Sequence, residues 1–199
     1  DLASYEVVGT VTTGVYPHGQ RVSPQGSELY VANVEDGSVS VIDTGTLTEV
    51  ARIPVGSAPV QVGFLPDGSR AYVSLRAEDA VAVIDTASRA VVAKVAVGNG
   101  PVQVHATPDG RSVYVANEGF EDEPSDTVSV IDTATNGVVA TITVEDGPHG
   151  VSVSDEAVFV TNIRADSLSI IDPDTQSVTA TVPVGDGPNG IVYISGASD

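Results

Sequence analysis

The sequence predicts an all-β protein, a β-propeller with four complete four-stranded blades. Three observations lead to this prediction. Sequence signatures recur at intervals of about 42 residues, the segments between them are short, alternating and rich in β-branched residues, and no segment requires a helix. All-β domains often reach about 200–250 residues without splitting, so we expect residues 1–199 to form one domain.

The first recurring signature is an aromatic residue followed by a valine inside a predicted strand. It occurs at Tyr30, Tyr72, Tyr114 and Phe159. Its regular place within a strand indicates packing between blades, because a buried aromatic ring contributes a large apolar area. This column is therefore predicted to serve the scaffold.

The second signature ends in an aspartate just before a turn. It occurs at Asp43, Asp85, Asp132 and Asp172. An aspartate in this place can accept backbone N–H hydrogen bonds as an Asx turn, and a catalytic carboxylate is rarely needed once in every blade. We interpret this column as structural too.

Each unit contains four predicted strands, and the first follows a Gly-x-x-Pro junction and is expected to be innermost. Turn sequences such as residues 66–68, Pro-Asp-Gly, separate the strands. In the second unit the strands are predicted at 59–65, 70–75, 80–85 and 90–97. The four blades are predicted at about 17–55, 59–97, 101–144 and 148–184.

Half-blade strands are predicted on either side of these units. Residues 6–13 match an outermost-type strand and residues 188–195 match an innermost-type strand, whereas propellers usually close by sharing one complete blade between the termini. Three outcomes are open: a ring with a partial fifth blade, an arc completed by another chain, or a fragment of a larger ring. We expect the arc or the fragment, with self-association through open edge strands.

The repeated residues resemble the YVTN-type β-propeller repeat family. The likeness covers nearly the whole chain and consists of a Tyr-Val-x-Asn strand, a Val-Ile-Asp-Thr strand and a Val-Gly-x-x-Pro junction, as in residues 30–33, 41–44 and 55–59. The resemblance implies a surface or secreted propeller, commonly with more than four blades. It implies no particular chemistry, because propellers carry unrelated functions.

Composition restricts the partners of the protein. The chain has 27 acidic and 8 basic residues, a net charge of −19, and Lys94 as its one lysine. Nucleic acid and anionic lipid are bound through Lys and Arg, so we expect no nucleic-acid partner. No apolar run approaches the roughly 18 residues of a membrane span, so we expect no membrane insertion.

The residue types also bear on chemistry and location. The absence of cysteine excludes disulfides, thiolate metal sites and a cysteine nucleophile, and we expect no cofactor. The start at Asp1 suggests removal of an export signal. The expected location is extracellular, at the cell surface or in the periplasm.

Candidate functional residues are sought where the repeats differ. The residue after the junction proline changes from unit to unit and lies where the innermost strands begin, near one mouth of the central channel. Polar side chains next to that position, including an arginine that could neutralise an anionic ligand, complete the candidate set. The predicted ligand-binding residues are His18, Arg21, Gln61, Gln103, His149 and Asn189.

Two other functions are open for the same histidines. In a lactonase-like hydrolase or lyase, His149 could act as a general base at the channel mouth. A metal or redox accessory protein would instead need His18, His105 and His149 to converge, although they lie in different blades.

An insertion at residues 118–126 lengthens one hairpin of the third blade and holds five carboxylates. Hard cations such as Ca²⁺ prefer oxygen ligands, but the spacing matches no EF-hand loop, so a solvated acidic loop is the simpler interpretation. A protein contact through Phe120 is a third. The candidate cation ligands are Glu121, Asp122, Glu123 and Asp126.

The sequence contains no convincing catalytic constellation. We therefore predict a non-catalytic, secreted or cell-surface binding module. Its ligand, a protein or a small molecule, is expected at the mouth of the central channel.

Overall fold

The computed structural model of the chain describes residues 3–194. This part of the chain contains sixteen strands and no helix, arranged as four antiparallel sheets of four consecutive strands. Each sheet is one propeller blade, so the predicted fold class is confirmed. Among these residues no helix is long and apolar enough to cross a membrane.

The strand bounds are as follows. Blade 1 contains β1 (Pro17–Val22), β2 (Glu28–Asn33), β3 (Ser38–Asp43) and β4 (Thr48–Pro54). Blade 2 contains β5 (Pro59–Phe64), β6 (Arg70–Leu75), β7 (Ala80–Asp85) and β8 (Ala90–Ala96). Blade 3 contains β9 (Pro101–Ala106), β10 (Ser112–Gly119), β11 (Pro124–Asp132) and β12 (Gly137–Thr143). Blade 4 contains β13 (Pro148–Val153), β14 (Val158–Asn162), β15 (Ser167–Asp172) and β16 (Ser177–Pro183).

The first strand of each blade lies innermost. Strands β1, β5, β9 and β13 follow one another side by side along the channel. The close approach of β1 to β5 requires glycine at position 19, because an added Cβ would lie 2.2 Å from the Val60 carbonyl oxygen. The four sheets form an open arc within residues 3–194.

The burial of a strand depends on whether neighbouring blades cover it. Strand β7 has the sequence AVAVID and is buried along almost its whole length, since blades on both sides cover it, and such strands become continuous apolar runs. Outer strand β8 instead alternates between exposed and less exposed residues. Tyr30, Tyr72 and Tyr114 are almost completely buried, and the Tyr30 ring meets the Phe64 ring of blade 2 edge-on at 4.9 Å. The burial of the three tyrosines agrees with the predicted scaffold role, whereas Phe159 is half-buried and stacks on Tyr193 at 6.0 Å.

The recurring aspartates close the turns between the third and fourth strands. The Asp85 carboxylate accepts hydrogen bonds from the Ser88 amide at 2.8 Å and the Ser88 hydroxyl at 2.6 Å, and these bonds lower its pKa. Equivalent turn bonds occur at Asp43, Asp132 and Asp172. The Asx-turn interpretation is confirmed.

The two predicted half-blade strands do not form strands in the structure. Residues 6–13 and 188–194 lie outside the sixteen strands, and residue 195 is outside the described part. A strand needs a neighbouring backbone to complete its hydrogen bonds, and no middle strands for these two segments occur among the described residues. The second segment still runs beside β13, where the Tyr193 amide donates to the Ser152 hydroxyl oxygen at 2.9 Å.

Candidate functional site

A cavity of about 360 Å³ lies against the four inner strands and the segment that follows blade 4. In β9, Val102 and Val104 are buried in the blade, whereas Gln103 and His105 are partly exposed, because successive side chains of a strand point to opposite faces. We call this space the channel cavity. Its lining residues are Gln20, Arg21, Gln61, Gln103, His105, Val151, Ser152 and residues 190–193.

Backbone hydrogen bonds fix three of the polar side chains that line the cavity. The Gln61 side-chain oxygen accepts from the Val62 amide at 3.1 Å, and that of Gln103 accepts from the Val151 amide of the next inner strand at 3.2 Å. His105 Nδ1 lies 3.0 Å from the Val153 amide nitrogen and accepts its hydrogen. Backbone amides of β13 in blade 4 thus hold the Gln103 and His105 side chains of blade 3 in place.

The hydrogen bond from Val153 also determines the form of the His105 ring. A backbone N–H can only donate, so Nδ1 must carry no proton and the neutral ring carries its proton on Nε2. Burial lowers the pKa of His105 to about 4, with the nearby positive charge of Arg21 acting in the same direction. His105 is therefore a neutral hydrogen-bond donor at pH 7.

Arg21 is the one basic side chain of the cavity wall. It is exposed to the open channel, while the protein atoms around it remove part of its hydration and lower its pKa. Within residues 3–194, no carboxylate lies at salt-bridge distance from its guanidinium. The other basic residues all bond to protein oxygens.

The structure brings together only part of the predicted ligand-binding set. Arg21, Gln61 and Gln103 line the channel cavity, whereas His18, His149 and Asn189 do not. In β9 the residue after the junction proline, Val102, points to the opposite face of the strand from the next residue, Gln103. Successive side chains of a strand alternate in this way. His18 is exposed, with Nδ1 3.2 Å from the Val60 carbonyl oxygen.

His149 belongs to a separate group of charges between blades, which we call the Glu118 cluster: Arg76, Glu118, His149 and Arg164. One Glu118 carboxylate oxygen lies 2.9 Å from Arg76 Nη1 and 2.9 Å from His149 Nδ1, and Arg164 Nη1 is 3.5 Å from the other oxygen. Burial alone would raise the pKa of Glu118, but the hydrogen bonds from His149 and Arg76 outweigh it and lower the pKa to about 2. The cluster joins blades 2, 3 and 4.

The predicted metal ligands do not form a metal site in the structure. Among the described residues, no group of three or more His, Cys, Asp or Glu side chains is arranged to hold a metal ion. The three histidines have separate partners, as described above. In the acidic loop, Glu121, Asp122, Glu123 and Asp126 are exposed, and the loop is closed by backbone bonds between Phe120 and Glu123.

The Glu118 cluster and the places of His105, Gln20 and Ser152 in the lining of the channel cavity were not predicted from the sequence. One signal for the cluster was present: Arg76 and Glu118 are 42 residues apart and so occupy the same repeat position in adjacent blades, with opposite charges. For Ser152 there was no signal, because a serine on a strand is ordinary and only the placement of the four sheets brings it to the cavity.

Four sheets around a channel define the chain as a β-propeller protein, and solved structures agree. No protein-family model matches the sequence, and no curated protein matches it significantly. The chain is similar to Kuenenia stuttgartiensis hydrazine synthase, with a TM-score of 0.79 and 27% identity over 88% of this chain and 52% of that chain.

Two further structures share the fold at lower identity. The Cps50 (Swd1) β-propeller domain of Myceliophteria thermophila has a TM-score of 0.76 and 15% identity over 92% of this chain and 59% of that chain. U3-55K has a TM-score of 0.78 and 14% identity over 88% of this chain and 54% of that chain. The chain therefore spans little more than half the length of the structures it matches.

Proposed function

We propose that the protein is a non-catalytic binding module of the YVTN-type propeller class that holds a small-molecule ligand in the channel cavity. The observation that carries this proposal is the preorganised cavity wall, in which Gln61, Gln103 and His105 each use one polar atom on the backbone and keep another for a ligand. Side chains held in place before binding lose less entropy when the ligand arrives.

The chemistry of the wall favours binding over catalysis. His105 has its Nδ1 occupied by the Val153 amide and its proton on Nε2, so neither nitrogen is ready to act as a general base. The described cavity lining contains no carboxylate to partner it. A hydrolase remains the second candidate because of the 2.9 Å contact between His149 and Glu118, although Glu118 also neutralises two arginines.

Location outside the cytoplasm is part of the same proposal. Its support is the resemblance of the repeated residues, such as 30–33 and 41–44, to the YVTN-type repeat family, which implies a surface or secreted propeller. The names of the similar structures do not decide the function, because they cover an enzyme, hydrazine synthase, and two proteins named only as Swd1 and U3-55K. Propellers carry unrelated functions on one scaffold.

The test uses a variant that fills the cavity. Gly190 lines the cavity, its backbone is not left-handed, and an added Cβ meets no atom within 4 Å. Gly190→Trp should therefore fold, and a large ring at this lining position is expected to obstruct ligand binding. Gly185→Trp is the matched control, since Gly185 has equally open surroundings and does not line the cavity.

Binding is measured by ligand-observed NMR with a panel of neutral, anionic and cationic small molecules, with parallel detection of turnover. We expect at least one compound that binds the wild type and Gly185→Trp but not Gly190→Trp, and that is recovered unchanged. Equal binding by both tryptophan variants would place the ligand elsewhere and refute the proposal. Turnover that is lost in His149→Ala would favour the hydrolase.

A further inference from the structure

We propose that the channel cavity recognises an oxyanion, the carboxylate or phosphate group of a small ligand. This inference rests on the proposed function and specifies its ligand class. It follows from which polar atoms of the wall are already engaged and which are left for a ligand.

Apart from Gln20, whose side chain has no hydrogen-bond partner among the described residues, the polar side chains of the wall present mainly hydrogen-bond donors. The side-chain oxygens of Gln61 and Gln103 each accept a backbone N–H, which leaves their amide nitrogens, and these have no acceptor among the described residues. His105 presents Nε2–H for the same reason. Ser152 accepts from the Tyr193 amide, so its hydroxyl hydrogen is also available to donate.

A wall of donors selects for a ligand rich in acceptors. A neutral sugar or amide offers donors as well as acceptors, and most of its donors would face another donor here and lose their hydrogen bonds, which is costly in a confined site. Carboxylate and phosphate oxygens only accept, and charge-assisted bonds to them are roughly twice as strong as neutral ones. The pattern therefore fits an oxyanion.

The charge around the cavity also favours an anionic ligand. Arg21 contributes a positive charge, and no acidic residue of the described range 3–194 lines the cavity. Charges more than about 8 Å away are largely screened at physiological ionic strength, so Arg21 determines the field felt by a ligand that contacts it. A guanidinium also matches the planar geometry of a carboxylate and the tetrahedral oxygens of phosphate.

The state of Arg21 is exceptional within this chain. Every other basic residue is neutralised or bonded by protein oxygens, through carboxylates in six cases and through the Thr133 carbonyl in the case of Arg70. In an acidic protein an arginine without such a partner is unusual, because carboxylates are abundant. The residues concerned are Arg52, Arg70, Arg76, Arg89, Lys94, Arg111 and Arg164.

The experiment compares inorganic phosphate and acetate with acetamide, a neutral molecule of nearly the same shape as acetate. The two-dimensional NMR signals of the Gln61 and Gln103 side-chain amides and of His105 report occupancy of the cavity. We expect phosphate or acetate to shift these signals with saturation, and acetamide to leave them unchanged. A response to acetamide equal to that to acetate would overturn the anion preference.

Two variants test the role of Arg21. Arg21→Gln removes the charge and should weaken anion binding about tenfold or more, as expected for the loss of a charge-assisted hydrogen bond. Arg111→Gln makes the same change in net charge at a side chain that is 86% exposed and beside Asp109, and should bind as the wild type does. If both variants lost anion affinity equally, the effect would come from net charge, and Arg21 would not be part of a specific anion site.

The outcomes separate this inference from the proposed function. If a neutral compound binds the wild type, is lost in Gly190→Trp and is unaffected by Arg21→Gln, the channel is a binding site but the anion inference is wrong. If neither ions nor neutral compounds shift the cavity signals, both are wrong. Anion shifts confined to surface residues outside the cavity would also refute the inference.

Discussion

The hydrogen bond between His105 and the Val153 amide determines which form of the imidazole the channel contains. Protonation of Nδ1 would place two N–H groups face to face, and burial and Arg21 already disfavour a positive charge there. The same features that make His105 a donor to a ligand therefore make it hard to protonate in the folded state.

This gives a pH prediction for stability. The pKa of His105 is about 4 in the folded chain, against an ordinary value of 6.5, so between these two values the unfolded chain binds more protons than the folded chain. Stability therefore rises with pH in this window and falls on acidification. We expect the wild type to lose about 1–2 kcal/mol more between pH 7 and pH 5 than His105→Gln.

The measurement is urea unfolding of both proteins at the two pH values. The two proteins differ only at position 105, so the difference between their pH dependences isolates His105. The lower limit of pH 5 avoids the range in which Glu118, with a pKa of about 2, begins to lose its own contribution as the pH falls. Identical pH dependence in the two proteins would show that His105 is protonated normally.

At the scale of the strand, an asparagine at the end of the second strand bonds to the third strand in blades 1, 3 and 4. Asn162 is fully buried, and its side-chain nitrogen donates to Ser167 at 3.0 Å and Ser169 at 2.9 Å on the neighbouring strand. Asn33 and Asn117 make the same pair of bonds in blades 1 and 3. Blade 2 replaces all three polar residues, with Leu75 paired to Ala80 and next to Ala82.

Blade 2 therefore provides the control for a mutation in blade 4. Asn162→Leu leaves the two buried serines without their donor and adds volume, and should destabilise the protein by about 1–3 kcal/mol. Adding Ser167→Ala and Ser169→Ala recreates the arrangement of blade 2 and should recover a large part of the loss. Thermal unfolding of both variants checks this, and a triple variant less stable than the single one would contradict it.

Local patterns made the strands and turns predictable, whereas the site depended on how the blades are placed. The aspartate before each turn could be assigned because its partner is only three residues away, as with Asp85 and Ser88. The partner of His105 is 48 residues away in the next blade, a distance that no local pattern reports. The predicted set therefore mixes residues of the channel cavity, such as Gln103, with His18 and His149, which lie outside it, because the sequence alone does not show which side of an inner strand meets the channel.

At the scale of the whole molecule, a following blade covers one face of the outer strand of the blade before it. Val95 in β8 is 5% exposed, whereas Val182, at the same repeat position in β16, is 43% exposed. Stability in such arrays comes from contacts between neighbours, and the outer strand of blade 4 lacks the cover that β8 receives. Self-association through open edges stays a prediction, and the channel cavity lies on the opposite, inner side of the arc.

The central claim is that the channel cavity binds an oxyanion between Arg21 and His105. A crystal structure with selenate tests it most directly, since the chain contains neither methionine nor cysteine and selenium would be its one strong anomalous scatterer. We predict an anomalous peak within hydrogen-bond reach of the Arg21 guanidinium and the Gln103 amide, which Arg21→Gln removes. Anomalous peaks found only on the outer strands or at the acidic loop, with no peak in the cavity, would contradict an oxyanion site in the channel.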